Sequence, residues 1–178
     1  AVGVPNSQIE IPGPTTDWEA ELVVVIGRTG RNISVVEAAS HVAGYMVGQD
    51  ISERTVQMAN NPAQFSLGKS YKNFAPMGPY ITTADEIPNP QDLIITCSLN
   101  GEMMQNESTA DMAFSVFEIV SYISQVCEIR CGDVIFTGSP AGVGQGLTPP
   151  RFLRAGDVLV TRIEGIGEIR NTFVGGEE

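Results

Sequence analysis

Five consecutive apolar residues, Leu22, Val23, Val24, Val25 and Ile26, constrain this chain more than any other feature of its sequence. A run so short, rich in β-branched side chains and closed by Gly27, predicts a strand buried on both faces. Two carboxylates, Glu19 and Glu21, precede it in the stretch DWEAELVVVIG. Residues two apart on a strand point to the same side of the sheet, so both acids leave one face about 6–7 Å apart along the chain. Two bare carboxylates about 5 Å apart repel by roughly 3 kcal/mol at an effective dielectric near 20, and burial beside an apolar strand adds lost hydration. A shared proton, basic partners or a bound cation would relieve that repulsion. A solvated strand entrance would avoid it.

Further polar residues group around the next elements. Asp50-Ile-Ser-Glu53 can form a capping box, and Asp50 can pair with Arg54 four residues on. The same helix carries Arg54 and Gln57, three apart on one face, which makes a polar pocket wall the competing reading. Eight arginines contrast with two lysines, Lys69 and Lys72, both in GKSYK. That stretch is not a phosphate-binding loop, because no glycine lies five residues before Gly68. TGSPAGVGQG, Thr137 to Gly146, lacks the dinucleotide spacing and carries Pro140 where a helix would start. His41, the one histidine, lies among Ala and Val and reads as a packed core residue, which disfavours triad hydrolysis.

Composition excludes other classes. The 178 residues carry 21 acids and 10 bases, a formal net charge of −11, and no basic face for nucleic acid or a membrane surface follows from that balance. Cys97, Cys127 and Cys131 are too few for a disulfide framework; a zinc site at Cys127 and Cys131 lacks further ligands, and a reducing, cytoplasmic setting is expected. The chain begins without Met, and AVGVPNSQIEIPGPTTDWE reads as extended chain, so an upstream segment is expected.

Ser34 and Glu37 predict a capping box opening a helix to about Gly44, followed by a strand over Gly44 to Asp50. A short helix from Ser52 ends at Asn60-Asn61-Pro62. Residues 64–89 read as loop-rich. Asp92 to Glu102 reads as a strand closing in an Asn-Gly hairpin turn. Asp111 to Gln125 reads as the long helix, with Met112, Val116, Ile119, Val120 and Ile123 as its apolar stripe. GDVIFTG and GDVLVTRIEG open later strands, and GIGEIRNTFV closes a last hairpin. Strands and helices do not alternate regularly, so the expected class is α+β: one domain over 1–178 with a β-rich mixed sheet, rolled or sandwiched, and two main helices.

Taken together, DWEAEL…VIG, GYMVGQDISERTVQ, QFSLGKSYKNFAPMGP, LNGEMMQNESTADM, GDVIFTGSPAGVG and AGDV…IEGIGEIRN resemble the fumarylacetoacetate hydrolase family across nearly the whole chain. The resemblance implies that Glu19, Glu21 and Asp50 hold a divalent cation, Mg²⁺ or Mn²⁺, in keeping with three anionic oxygen donors. It implies catalytic roles for Lys69 and Gln57, substrate binding by Arg54 and Thr137, and a homodimer. The implied substrate is a small 2-oxo or 1,3-diketo acid, and the implied reaction is C–C hydrolysis through a metal-stabilised enolate. Decarboxylation of oxaloacetate-like acids and isomerisation of hydroxydienedioates would use the same site; a non-catalytic metal-binding scaffold is the remaining alternative. The family often supplies the water-activating base from an N-terminal lid segment, which His41 does not replace. Gln49 and Ser139 depart from its commonest residues without removing a ligand.

Overall fold

The computed structural model describes residues 1–175. In chain order its strands are β1 (Val2–Gly3), β2 (Gln8–Glu10), β3 (Thr16–Asp17), β4 (Ala20–Ile26), β5 (Val42–Gln49), β6 (Ser52–Glu53), β7 (Ala75–Thr83), β8 (Ile94–Leu99), β9 (Glu102–Ser108), β10 (Val134–Phe136), β11 (Val158–Ile163) and β12 (Gly167–Val174). Its helices are α1 (Val35–Ala38), α2 (Arg54–Gln57) and α3 (Val116–Val126). One sheet runs β1-β7-β5-β4-β10, a second runs β2-β12-β11-β8-β9, and β3 pairs with β6 in a small ribbon. Parallel and antiparallel pairs mix in both large sheets. The strand-rich α+β class expected from the sequence is the one observed.

Strand periodicity explains how the layers meet. Leu22, Val24 and Ile26 of β4, with Tyr45 and Val47 of β5, join one continuous core with Leu99, Leu159, Ile163 and Phe173 of the second sheet. Val23 and Val25 alternate to the other face, where they pack with Met46, Met77 and Phe136. All seven residues of β4 are buried, as the unbroken apolar run requires. The β8–β9 hairpin turns at Asn100 and Gly101, both at positive φ, the conformation an Asn-Gly hairpin turn demands.

Several elements differ from expectation. The Ser34–Glu37 capping box is present, but α1 lasts four residues and passes through a tight turn at Ala39–His41 directly into β5. The β-branched and glycine-rich VAGYMVGQ stretch is claimed by pairing with β4, which ends the helix early. The helix from Ser52 is likewise a short strand and a four-residue helix. The loop-rich segment contains β7, nine residues long despite Pro76 and Pro79. The long helix starts at Ser115 rather than near Asp111, because Ser115 and Glu118 form a second capping box; a separate turn covers Thr109–Asp111. Val116, Val120, Ser121 and Ser124 are its buried positions, with Met112, Ile119 and Ile123 packed at the margin. No helix among the described residues is long and apolar enough to cross a membrane.

Candidate metal and substrate site

Pairing of β4 with β5 assembles the acidic cluster. Ala20 lies opposite Gln49 and Glu21 opposite Gly48, so Glu19 and Asp50 leave the two strands at the same end. The Asp50 amide donates to the Glu19 carbonyl at 2.9 Å, and the Glu19 amide donates to Gln49 Oε1 at 2.9 Å. Gly48 leaves room here: a Cβ would collide with Val23 and Phe136. One carboxylate oxygen from each of Glu19, Glu21 and Asp50 lies within 4.8 Å of the others.

Lys69 reaches this cluster from a different segment. It ends a tight turn, Leu67–Lys69, whose Gly68 packs against the helix α2; a Cβ there would lie 2.9 Å from the Glu53 carbonyl oxygen. Its ammonium donates to Glu19 Oε2 at 2.7 Å and also to Asp50 Oδ2. Glu19, Glu21, Asp50 and Lys69 line a cavity of about 490 Å³ with Phe136, Val143 and the segment 138–141. Asp50 therefore pairs with Lys69 and not with Arg54, and it does not cap α2; Glu53 does, accepting from the Thr55 amide.

Burial dominates the electrostatics. Glu21 is only 3% exposed. Burial pushes its carboxyl up to about 8; the Gly138 amide, donating to it at 2.7 Å, opposes this, and Asp50 and Glu19 add to it. Asp50 is raised as well, again chiefly by burial, with Lys69 pulling the other way. Burial lowers the Lys69 ammonium, but its bonds to Asp50 and Glu19 together outweigh that and leave it above the usual lysine range. The three groups offer oxygen donors only, with no thiolate or imidazole among them, the donor set that suits a hard cation.

Arg54 and Gln57 stand behind this cluster and do not line the cavity. Arg54 donates through Nε and Nη2 to Asp17 and through Nη1 to Glu19 and to Gln57 Oε1. Gln57 is 1% exposed, so its amide acts on the guanidinium. Thr137 donates its hydroxyl to the Leu22 carbonyl at 2.8 Å and lines a neighbouring, largely apolar cavity of about 450 Å³ with Leu22, Met112 and Ile119. The two cavities share the wall 138–141. His41 is buried, as its apolar surroundings indicated, and its ring bonds the Arg28 side chain and carbonyl. Cys127 and Cys131 are exposed and lie outside the helix.

Two buried residues were not singled out from the sequence. Asp17 has the same strand parity as Glu19 and Glu21, the signal that could have flagged it. Gln105, on β9, receives the Ala20 amide between the two glutamates and donates to Ser139 and the Pro140 carbonyl. No local pattern announces that role.

A two-sheet fold that gathers three carboxylates and a lysine at one strand end defines a candidate site for a hard cation. The chain belongs to the fumarylacetoacetate hydrolase family: the model of the fumarylacetoacetate hydrolase C-terminal domain matches residues 1–174. It is 42% identical over 176 residues to an oxaloacetate tautomerase of Bos taurus named as mitochondrial, covering 98% of this chain and 56% of that protein. The chain thus spans about half the length of the curated relatives it matches. Among solved structures, a 2-hydroxyhepta-2,4-diene-1,7-dioate isomerase from Mycobacterium marinum superposes with a TM-score of 0.90 at 34% identity, covering 100% of this chain and 67% of that one. A fumarylpyruvate hydrolase from Pseudomonas aeruginosa, in complex with Mn²⁺ and pyruvate, gives 0.86 at 32% identity, covering 96% and 72%.

Proposed function

We propose that residues 1–178 form one catalytic domain that binds Mg²⁺ or Mn²⁺ through Glu19, Glu21 and Asp50 and converts a small 2-oxo acid through its enolate. The observation that carries this reading is the convergence of three carboxylate oxygens, one of them deeply buried, beside a lysine in an open cavity. A cation held there by Glu19, Glu21 and Asp50 would supply Lewis-acid stabilisation of negative charge developing on the substrate. Lys69 supplies a second positive charge at the cavity wall, placed where negative charge develops. Arg54, fixed by Asp17 and Gln57, holds Glu19 in its orientation. Phe136 and Val143 add apolar surface to the cavity wall beside the carboxylates.

Keto–enol conversion of an oxaloacetate-like acid is the first reading, favoured by 42% identity to the bovine tautomerase. Hydrolysis of a 1,3-diketo acid such as fumarylpyruvate is the second, favoured by the Mn²⁺- and pyruvate-bound relative. Ultraviolet assays with enol-oxaloacetate and fumarylpyruvate, with Mn²⁺ and then with excess chelator, distinguish them. Metal-dependent decay of the enol without loss of carbon supports the first; release of pyruvate supports the second. Turnover of neither, with metal bound, overturns the enzymatic reading.

The domain is proposed to pair with a second copy of itself. The outer face of the first sheet supports this: around Val23, Val25 and Met46 it exposes Ile81 and Val134. Light scattering after gel filtration tests it.

A further inference from the structure

The bond network behind the acidic cluster converges on one carboxylate. Asp17 is fully buried, yet its two oxygens accept from five donors: the Trp18 amide at 2.8 Å, Arg54 Nε at 2.9 Å and Nη2 at 2.8 Å, the Gly144 amide at 2.7 Å and the Gln145 amide at 3.0 Å. A buried charge with that many charge-assisted bonds is held in one place. Two different structures hang from it. One is the guanidinium of Arg54, whose free arm bonds Glu19 Oε1 at 2.7 Å. The other is the turn Gly144–Gly146, which follows directly on Val143 and the segment 138–141 of the cavity wall. Gly144 makes the approach possible: a Cβ there would sit 2.6 Å from Asp17 Oδ1 and would collide with the Arg151 carbonyl oxygen.

We propose that Asp17 is the positioning residue of the site: through Arg54 it orients Glu19, and through the Gly144 and Gln145 amides it fastens the cavity wall to the end of β3, two residues before Glu19. This rests on the metal-dependent reading above, because the orientation of Glu19 matters chiefly to what the carboxylates hold. Removing an outer partner of a metal-ligating carboxylate commonly costs about 10- to 100-fold in metal affinity. Asp17 touches neither the cavity nor, by its buried position, anything bound there, so its effect must pass through Arg54 and the turn.

The test uses three proteins: the full chain as it stands, Asp17→Asn and Arg54→Lys. Asn is isosteric but exchanges one acceptor oxygen for a donor, which must then face either the guanidinium or the amides. Lys keeps the positive charge but cannot fork between Asp17 and Glu19. Mn²⁺ binding is measured by calorimetry, and amide hydrogen exchange by mass spectrometry. Asp17→Asn is expected to weaken Mn²⁺ binding by roughly tenfold or more and to speed exchange in the peptide containing Gly144 and Gln145. Arg54→Lys is expected to weaken Mn²⁺ binding similarly while leaving that exchange slow. If Asp17→Asn lowers thermal stability yet binds Mn²⁺ within about twofold of the parent, a purely structural role replaces the proposal. If Asp17→Asn does not fold, Arg54→Lys decides: unchanged affinity overturns the route through Arg54. Failure of the parent protein to bind Mn²⁺ overturns the metal-dependent reading itself, and is told apart by occurring before any substitution.

Discussion

Glu21 makes the most pointed statement at the scale of a single residue. A carboxyl raised by burial to about 8 binds a proton in the folded chain at pH values where the unfolded chain has released it. Between the ordinary value of 4.5 and about 8 the folded state therefore holds more protons, and the stability contributed by this group falls as pH rises through that window. Metal-free protein should show its urea midpoint dropping from pH 5 to pH 8, and Glu21→Gln should flatten that slope. A Glu21→Gln profile parallel to the parent's would remove Glu21 as the source. Lys69 makes a separate prediction. It bonds Glu19 and Asp50 but is not one of the three oxygen donors. Lys69→Met should leave Mn²⁺ binding in place while cutting turnover about 100-fold or more, the usual cost of losing one donor aimed at developing charge. Loss of binding and turnover together would instead make Lys69 part of the cation's own support.

At the scale of elements, α3 isolates local from long-range control. Ser115 and Glu118 cap each other, with Ser115 Oγ accepting from the Glu118 amide at 3.2 Å and Glu118 Oε2 accepting the Ser115 amide at 2.7 Å. Ser115→Ala should cost about 1 kcal/mol of stability, read from a urea midpoint, without changing Mn²⁺ affinity. Such local signals were legible in part: the Ser34–Glu37 capping box, the Asn100–Gly101 turn and the buried β4 stand where their patterns put them, whereas the box expected at Asp50–Glu53 does not form and the one at Ser115–Glu118 went unread. What the chain did not disclose depends on distant partners. Strand β7 is built from APMGPYITT, whose prolines argue against a strand; it forms because β5 and β1 flank it. Helix α1 stops after four residues because β5 is claimed by β4. The acidic pair was visible as a spacing, and Lys69 as one of two lysines, but the pair meets Asp50 through the Ala20–Gln49 register and Lys69 through the packing of Gly68 against α2. Gln105 was invisible for the same reason, and Asp17 showed only its spacing to Glu19 and Glu21: their partners Ala20 and Gly144 lie 85 and 127 positions away in sequence.

For the whole molecule, the site joins segments that reach it from different parts of the fold. Glu19 precedes β4 and Glu21 lies in it, Asp50 follows β5, Lys69 arrives on a turn from outside either sheet, and the wall at 138–141 follows β10. A cation held by the three carboxylates would cancel their repulsion and cross-link β4 to the end of β5, so its binding energy becomes folding stability. A ligand at 100 times its dissociation constant adds about 2.7 kcal/mol. For a domain of this size that amounts to a rise of roughly 5–10 °C in melting temperature. The rise should be larger at pH 8 than at pH 6, because at the lower pH binding must first displace the proton on Glu21, whose carboxyl sits at about 8. It should vanish in Glu21→Gln and persist in Ser115→Ala. Scanning calorimetry at both pH values, with Mn²⁺ and with chelator, separates this from unspecific ion effects. Those would act on the strongly acidic surface, with its net charge of −11, and would stabilise both variants alike.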